Sequence, residues 1–175
     1  LLGLPDLYAR SETPWVEGAG LWCSMANQFG GGRPQHFSAW CKERLGWLRP
    51  AVIDPTVKQK LILAPIEGSA TECYRVLVRR DGREYFLLEN RQRQQADTAL
   101  IRFHCERAGS PGCPGGLLVW HIDSAKVAQG RSTNSVNTGA LHGVAVVQAD
   151  AFANLEAAPV QGNICGTPPV LGCSN

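Results

Sequence analysis

Asp6 and Met25 are the residues whose types and placement first suggest chemistry. The chain opens Leu1-Leu2-Gly3-Leu4-Pro5-Asp6-Leu7-Tyr8. Two apolar residues run into Gly3, and Pro5 and Asp6 follow at once. That order reads as the last turn of a buried helix, a glycine stop and a sharp exit. A catalytic zinc takes three protein ligands and keeps one place for water. Two histidines at i and i+4 fit one helix face, so the third ligand must come from beyond the helix. Gly3 would let the backbone turn toward such a metal, and Asp6 would supply an oxygen ligand. Glu12 and Glu17 in the following loop are alternative donors. Met25 is the single methionine, flanked by Ser24 and Ala26 ahead of Gly30-Gly31-Gly32. A polarizable thioether in a tight turn would give the ligands a well-packed floor. The plainer readings are a helix end and an ordinary core methionine.

A second group joins Glu84, Glu89, Asn90 and Arg91 with His121 and Asp123. Strand acids ordinarily sit at a wet rim; the alternative is a polar cluster supporting a cleft. His121 stands in an apolar run, where a histidine is more often a hydrogen-bonded core residue than a ligand. His36, His104 and His142 have no metal-ligand spacing to one another. None of the cysteines forms a Cys-x-x-Cys pair, which argues against a zinc ribbon. Cys105 and Cys113 bracket Gly109, Pro111 and Gly112, while Cys165 and Cys173 bracket Gly166, Pro168, Pro169 and Gly172. Both pairs read as short disulfide-closed loops. Cys23 and Cys41 could close the stretch between them, which leaves Cys73 over. Seven cysteines are many for a reducing compartment, where the alternative is buried free thiols.

The elements that must position these groups follow from periodicity. Residues 9–20 read as loop. Pro34 opens a helix on which Phe37, Trp40, Cys41 and Leu45 share a face, with Gly46 its stop and Leu48 just beyond. Pro50 and Pro55 enforce an extended segment. Residues 57–66 alternate well enough for a strand. Residues 73–80 and 84–90 form a hairpin around Asp81-Gly82, a two-residue signal of the type I′ kind. Residues 99–105 read as a short strand or helix turn. Residues 117–123 are apolar on both faces, as in a strand covered on two sides. Residues 124–143 are polar and read as a long surface loop, and 144–150 as a last buried strand. The expected class is α+β, one main helix and then mostly antiparallel strands and long loops. It would form a single or partial domain, 1–56 carrying the helix and the Met25 turn and 57–175 being β-rich.

The chain has 175 residues, enough for one domain with a core, and is 44% hydrophobic and 18% charged. Its net charge is +2, and outside residues 75–93 its basic residues form no stripe, which disfavours nucleic-acid binding. No apolar run approaches the roughly 20 residues of a membrane span. The chain starts within an apolar pattern, without an initiator Met or a signal peptide. It therefore reads as a fragment with more protein upstream.

Taken in order, six motifs resemble the M6 family of secreted metalloproteases, the immune inhibitor A type. They are Gly-Leu-Pro-Asp-Leu-Tyr at 3–8, Gly-Leu-Trp-x-x-Met at 20–25 and Pro-x-x-x-Ser-Ala-Trp-x-Lys-x-x-Leu-Gly-Trp at 34–47. Glu-Tyr-Phe-Leu-Leu-Glu-Asn-Arg-Gln at 84–92, Gly-Leu-Leu-Val-Trp-His-Ile-Asp at 116–123 and Gln-Ala-Asp at 148–150 complete the set. The resemblance covers nearly the whole chain. It implies a secreted zinc endopeptidase with a metzincin-like fold, acting on polypeptides. Asp6 matches the third metal-binding position and Met25 the Met-turn. The helix with two histidines and the general-base glutamate would lie in the missing N-terminal part of the same catalytic domain. No catalytic residue is then expected in this chain, which alone would be inactive. In similar proteins the region of Asp150 carries a glycine-rich calcium-binding stretch. This chain keeps Asp150, Asn154 and Glu156, but has Ala151 where a glycine is usual and Asn163-Ile164-Cys165-Gly166 in place of a more acidic run. A plain polar turn is the alternative there. For the whole chain, the alternative function is a disulfide-linked, non-catalytic β-rich binding module on the same scaffold.

Overall fold

Strict alternation along residues 84–92 sets the architecture. Tyr85, Leu87, Glu89 and Arg91 are buried, and the residues between them are half-exposed. A strand with this period presents one face to a core. The structure, a computed structural model, describes residues 2–9, 18–27, 35–107 and 115–147, with only the backbone for 103–107. Its strands are β1 (Ala51–Ile53), β2 (Tyr74–Leu77), β3 (Glu84–Gln92), β4 (Gly115–Asp123) and β5 (Val144–Val146). They lie side by side in chain order in one five-stranded sheet. β3 and β4 pair antiparallel from Glu84 opposite Asp123 to Gln92 opposite Gly115. β2 and β5 join antiparallel on either side, and β1 pairs parallel with β2. The protein is thus α+β with a mixed sheet.

Among the described residues three α-helices accompany it: α1 (Ala39–Arg44), α2 (Thr98–Arg107) and α3 (Ser124–Arg131). Ser38 starts α1 by accepting the Cys41 amide on its hydroxyl at 3.2 Å. Gly46, at φ +74°, follows its end. α1 buries Ala39, Trp40, Cys41 and Lys42, and packs on β3. The core joins Leu7, Leu21, Trp22 and Trp40 from the N-terminal half to Leu87, Trp120, Ile122, Val136 and Val144. No helix among the described residues is long and apolar enough to cross a membrane.

Several expectations are corrected. α1 starts at Ala39 rather than Pro34, because Ser38 is the cap and has extended backbone. Residues 57–66 are not a strand; the short parallel strand is β1, just before them. Val57, Leu61 and Ile62 are exposed, so their alternation has no apolar face to meet. Side chains hold that segment instead. Tyr74 donates to the Ile62 carbonyl at 2.7 Å, Asn90 to the Leu63 carbonyl at 2.8 Å, and the Ala64 amide to Glu72 at 2.9 Å.

The β2–β3 turn has only Gly82 at positive φ, whereas a type I′ turn needs two such residues. The Gly82 amide bonds the Arg79 carbonyl, and the amides of Val78 and Arg79 share the Glu84 carbonyl. The turn thus has a single left-handed residue and is not of the type I′ kind. β4 is not apolar-covered on both sides, since Leu117 and Val119 lie on its more open face. Residues 98–107 are helix. Residues 124–143 are not one loop, because the Asp123 carboxylate accepts the Ala125 and Lys126 amides and starts α3.

Candidate metal centre

The stretches that carry Asp6 and Met25 run beside each other. The Leu7 amide, next to Asp6, donates to the Met25 carbonyl at 2.7 Å. Leu7 is fully buried, and the partly buried Met25 packs against the core. Upstream, Gly3 has φ +69° and Leu2 φ 54°, so the chain turns through the left-handed region here. Asp6 is half-buried, and its Oδ2 accepts the Tyr8 hydroxyl at 2.7 Å and the Asn134 amide group at 2.5 Å. Asn134 Oδ1 accepts the Asp6 backbone amide at 2.6 Å. Asn134 itself has φ 55°, a conformation asparagine tolerates better than most residues.

One turn further on, Asn137 is completely buried. Its Nδ2 donates to the carbonyls of Leu7 at 2.8 Å and Val144 at 2.7 Å, and its Oδ1 accepts the Val144 amide at 3.0 Å. The stretch expected to be surface loop therefore pins both the carboxylate and the backbone beside it. Sequence reasoning missed Asn134 and Asn137. The available signal was two asparagines at i and i+3 around the apolar Val136.

The Met25 turn is held from the sheet side as well. Arg91 is 1% exposed and its Nη1 donates to the Trp22 carbonyl at 3.3 Å. The guanidinium grips Asp97 through two parallel bonds, one of them Nη2 to Oδ1 at 2.7 Å, and meets Glu89 Oε1 at 3.1 Å. Trp120 Nε1 donates to the same Glu89 oxygen at 2.6 Å. Glu89 and Asp97 are fully buried. Burial alone would disfavour the Arg91 charge, but the charges of Glu89 and Asp97 and their hydrogen bonds more than offset it. Lys42 lies near this cluster with its ammonium against the Ile66 carbonyl at 3.3 Å. Burial draws its pKa down while Glu89 opposes.

The second candidate group thus splits. Glu89 and Arg91 form a buried support, whereas Glu84 and His121 make a half-exposed pair at 2.9 Å on the other face of the sheet. Asp123 is a helix cap, and Asn90 holds residue 63. His36 is half-buried, its ring at 3.1 Å from the Phe37 carbonyl, and its pKa is lowered by burial and then by Arg91 and Lys42. The Cys23 and Cys41 sulfurs stand 3.6 Å apart, wider than the roughly 2.05 Å of a disulfide. Asp150, Glu12, Glu17, Asn154, Glu156, Asn163, Cys113, Cys165 and Cys173 lie outside the described residues, as do the side chains of His104 and Cys105.

What this arrangement offers a metal is one oriented carboxylate. Hydrogen-bond partners that orient a ligating carboxylate tune its metal, and Tyr8 and Asn134 suit that part. Among the described residues no three His, Cys, Asp or Glu side chains gather as a metal site. Asp6 is not a metal site by itself. A cavity of about 90 Å³ behind the turn is lined by Leu4, Pro5, Trp40 and Val127 with Arg44 and Arg131, and does not include Asp6. No family model, curated protein or solved structure matches this chain.

Proposed function

We propose that this chain is the C-terminal part of the catalytic domain of a secreted zinc endopeptidase of the immune inhibitor A type. In this reading Asp6 is the third metal ligand and Met25 lies in the floor beneath it. The observation that supports it is the 2.7 Å bond from the Leu7 amide to the Met25 carbonyl. It joins the two motifs that the resemblance assigns to one metal site. A bound zinc would lower the pKa of its water and polarise the scissile carbonyl. This chain would contribute the position of one ligand. Tyr8 and Asn134 hold the Asp6 carboxylate, Asn137 holds Leu7, and Arg91 holds the backbone ahead of Met25.

The coding sequence immediately before Leu1 is the first test, and it should read His-Glu-x-x-His. Any other pentapeptide there rejects the enzyme and leaves the binding-module reading. In the full-length protein, Asp6→Ala should remove zinc and peptidase activity while secretion continues. Asn134→Ala should lower metal affinity by about 10–100-fold, the usual cost of losing an outer-shell partner. Retention of stoichiometric zinc and full activity by Asp6→Ala would move the ligand role to another residue.

A further inference from the structure

We propose that Cys23 and Cys41 close to a disulfide that clasps the Met25 turn onto helix α1. The two sulfurs are 3.6 Å apart and both residues are fully buried, so each thiol has the other as its neighbour inside the core. Their placement is fixed from both sides. The Cys23 sulfur accepts the Met25 and Ser38 amides, each at 3.4 Å. The Cys41 amide is held by the Ser38 hydroxyl at 3.2 Å. Closing the gap takes a relative sulfur movement of about 1.5 Å to reach disulfide length. The bond would tie the residue two before Met25 to the residue two after the start of α1, beside the existing bond from the Ser24 amide to the His36 carbonyl at 3.2 Å.

Burial alone would raise the Cys23 thiol, but hydrogen bonds from Cys41, Ser38 and the Ser38 and Met25 amides outweigh it and bring it to about 7. The hydrogen bond to Cys23 and then burial push Cys41 the other way. As the chain folds and before both sulfurs are buried, the thiolate of one of the two cysteines attacks a small-molecule disulfide such as glutathione disulfide and releases one thiolate, leaving a mixed disulfide on that cysteine. The thiol of the other cysteine gives its proton to a thiolate and displaces the second. Two cysteine thiols lose two protons and two electrons, and one glutathione disulfide becomes two thiols. Cys73 provides the contrast. It is buried, its thiol donates to the Tyr74 carbonyl at 3.8 Å, and burial raises its pKa.

The inference does not depend on the peptidase reading. It is tested on the whole chain refolded in glutathione redox buffer, denatured without reductant, alkylated with iodoacetamide and digested with trypsin. Arg33 precedes Pro34 and resists cleavage, so residues 11–42 stay in one peptide containing Cys23 and Cys41 alone. That peptide should be unlabelled and lighter by two hydrogens, and should take two labels after reduction. Cys73 should be labelled without reductant. The oxidised protein should melt roughly 5–10 °C above its reduced form. In Cys23→Ser, Cys41 should take label without reduction. Two labels on the unreduced wild-type peptide, or its linkage to a peptide carrying another cysteine, would overturn the proposal.

Discussion

Replacing Arg91 by methionine should strongly destabilise the protein. The substitution keeps much of the side-chain length but removes the one guanidinium that serves three partners. Glu89 and Asp97 would be left as fully buried carboxylates, and the Trp22 carbonyl would lose its donor. Breaking a buried pair by removing one partner typically costs about 3–5 kcal/mol, because the remaining charge is uncompensated. For a domain of this size that corresponds to a drop in Tm of about 6–20 °C. Urea unfolding followed by tryptophan fluorescence measures it, since Trp22 and Trp120 both border the network. The same logic makes a second, opposite demand. Adding Glu89→Gln and Asp97→Asn to Arg91→Met removes both orphaned charges while keeping an acceptor for Trp120. The triple variant should therefore be more stable than Arg91→Met alone, by about 1–3 kcal/mol. A loss under about 1 kcal/mol for Arg91→Met, or a triple variant less stable than the single one, would refute the view that these charges are desolvated and mutually compensated.

Asn137→Ala should cost about 2–4 kcal/mol in thermal unfolding, because three buried backbone groups of Leu7 and Val144 lose their partner. A cost within 0.5 kcal/mol, the ordinary range of surface changes, would place Asn137 in water instead. Ser38→Ala should cost about 1 kcal/mol through the lost cap on α1, measured the same way. His36 has a lowered pKa in the fold, so near its ordinary value of about 6.5 the native state binds fewer protons than the unfolded chain. Its contribution is complete above that value and is lost as pH falls below it. Tm should thus decline more steeply between about pH 7 and 5 in the wild type than in His36→Gln, and equal slopes would exclude His36 as the source.

Local signals were legible wherever neighbours in sequence settle the structure. The β2–β3 hairpin, the glycine stop after α1 and the buried strand at Val144 follow from period, turn residues and apolar runs. Such signals misled where an apolar pattern had nothing to pack against, as with residues 57–66, or where polar residues had inward work. Ser124 to Gly143 looked solvated because it is rich in Ser, Asn and Gly. Asp123 nevertheless caps a helix there, and Asn134 and Asn137 reach across to Asp6 and Leu7. Glu89 read first as a wet-rim acid, with a polar cluster that includes Arg91 as the alternative, because residue type outweighed place. Their place was decisive, since they share the face of β3 that carries Tyr85 and Leu87.

By itself the sequence determined the α+β class, the main hairpin, and the identity of Asp6 and Met25 as candidates. Those properties depend on residue type and short spacing. Only the tertiary structure decided that the Leu7 amide meets the Met25 carbonyl, that Asn134 holds a carboxylate 128 positions away, and that Arg91 reaches a carbonyl 69 positions back. It also placed two thiols 18 positions apart against each other. Contacts of that range carry no local period. They arise because most groups buried on folding must find their partners within the protein, and in a packed core those partners belong largely to other segments of the chain.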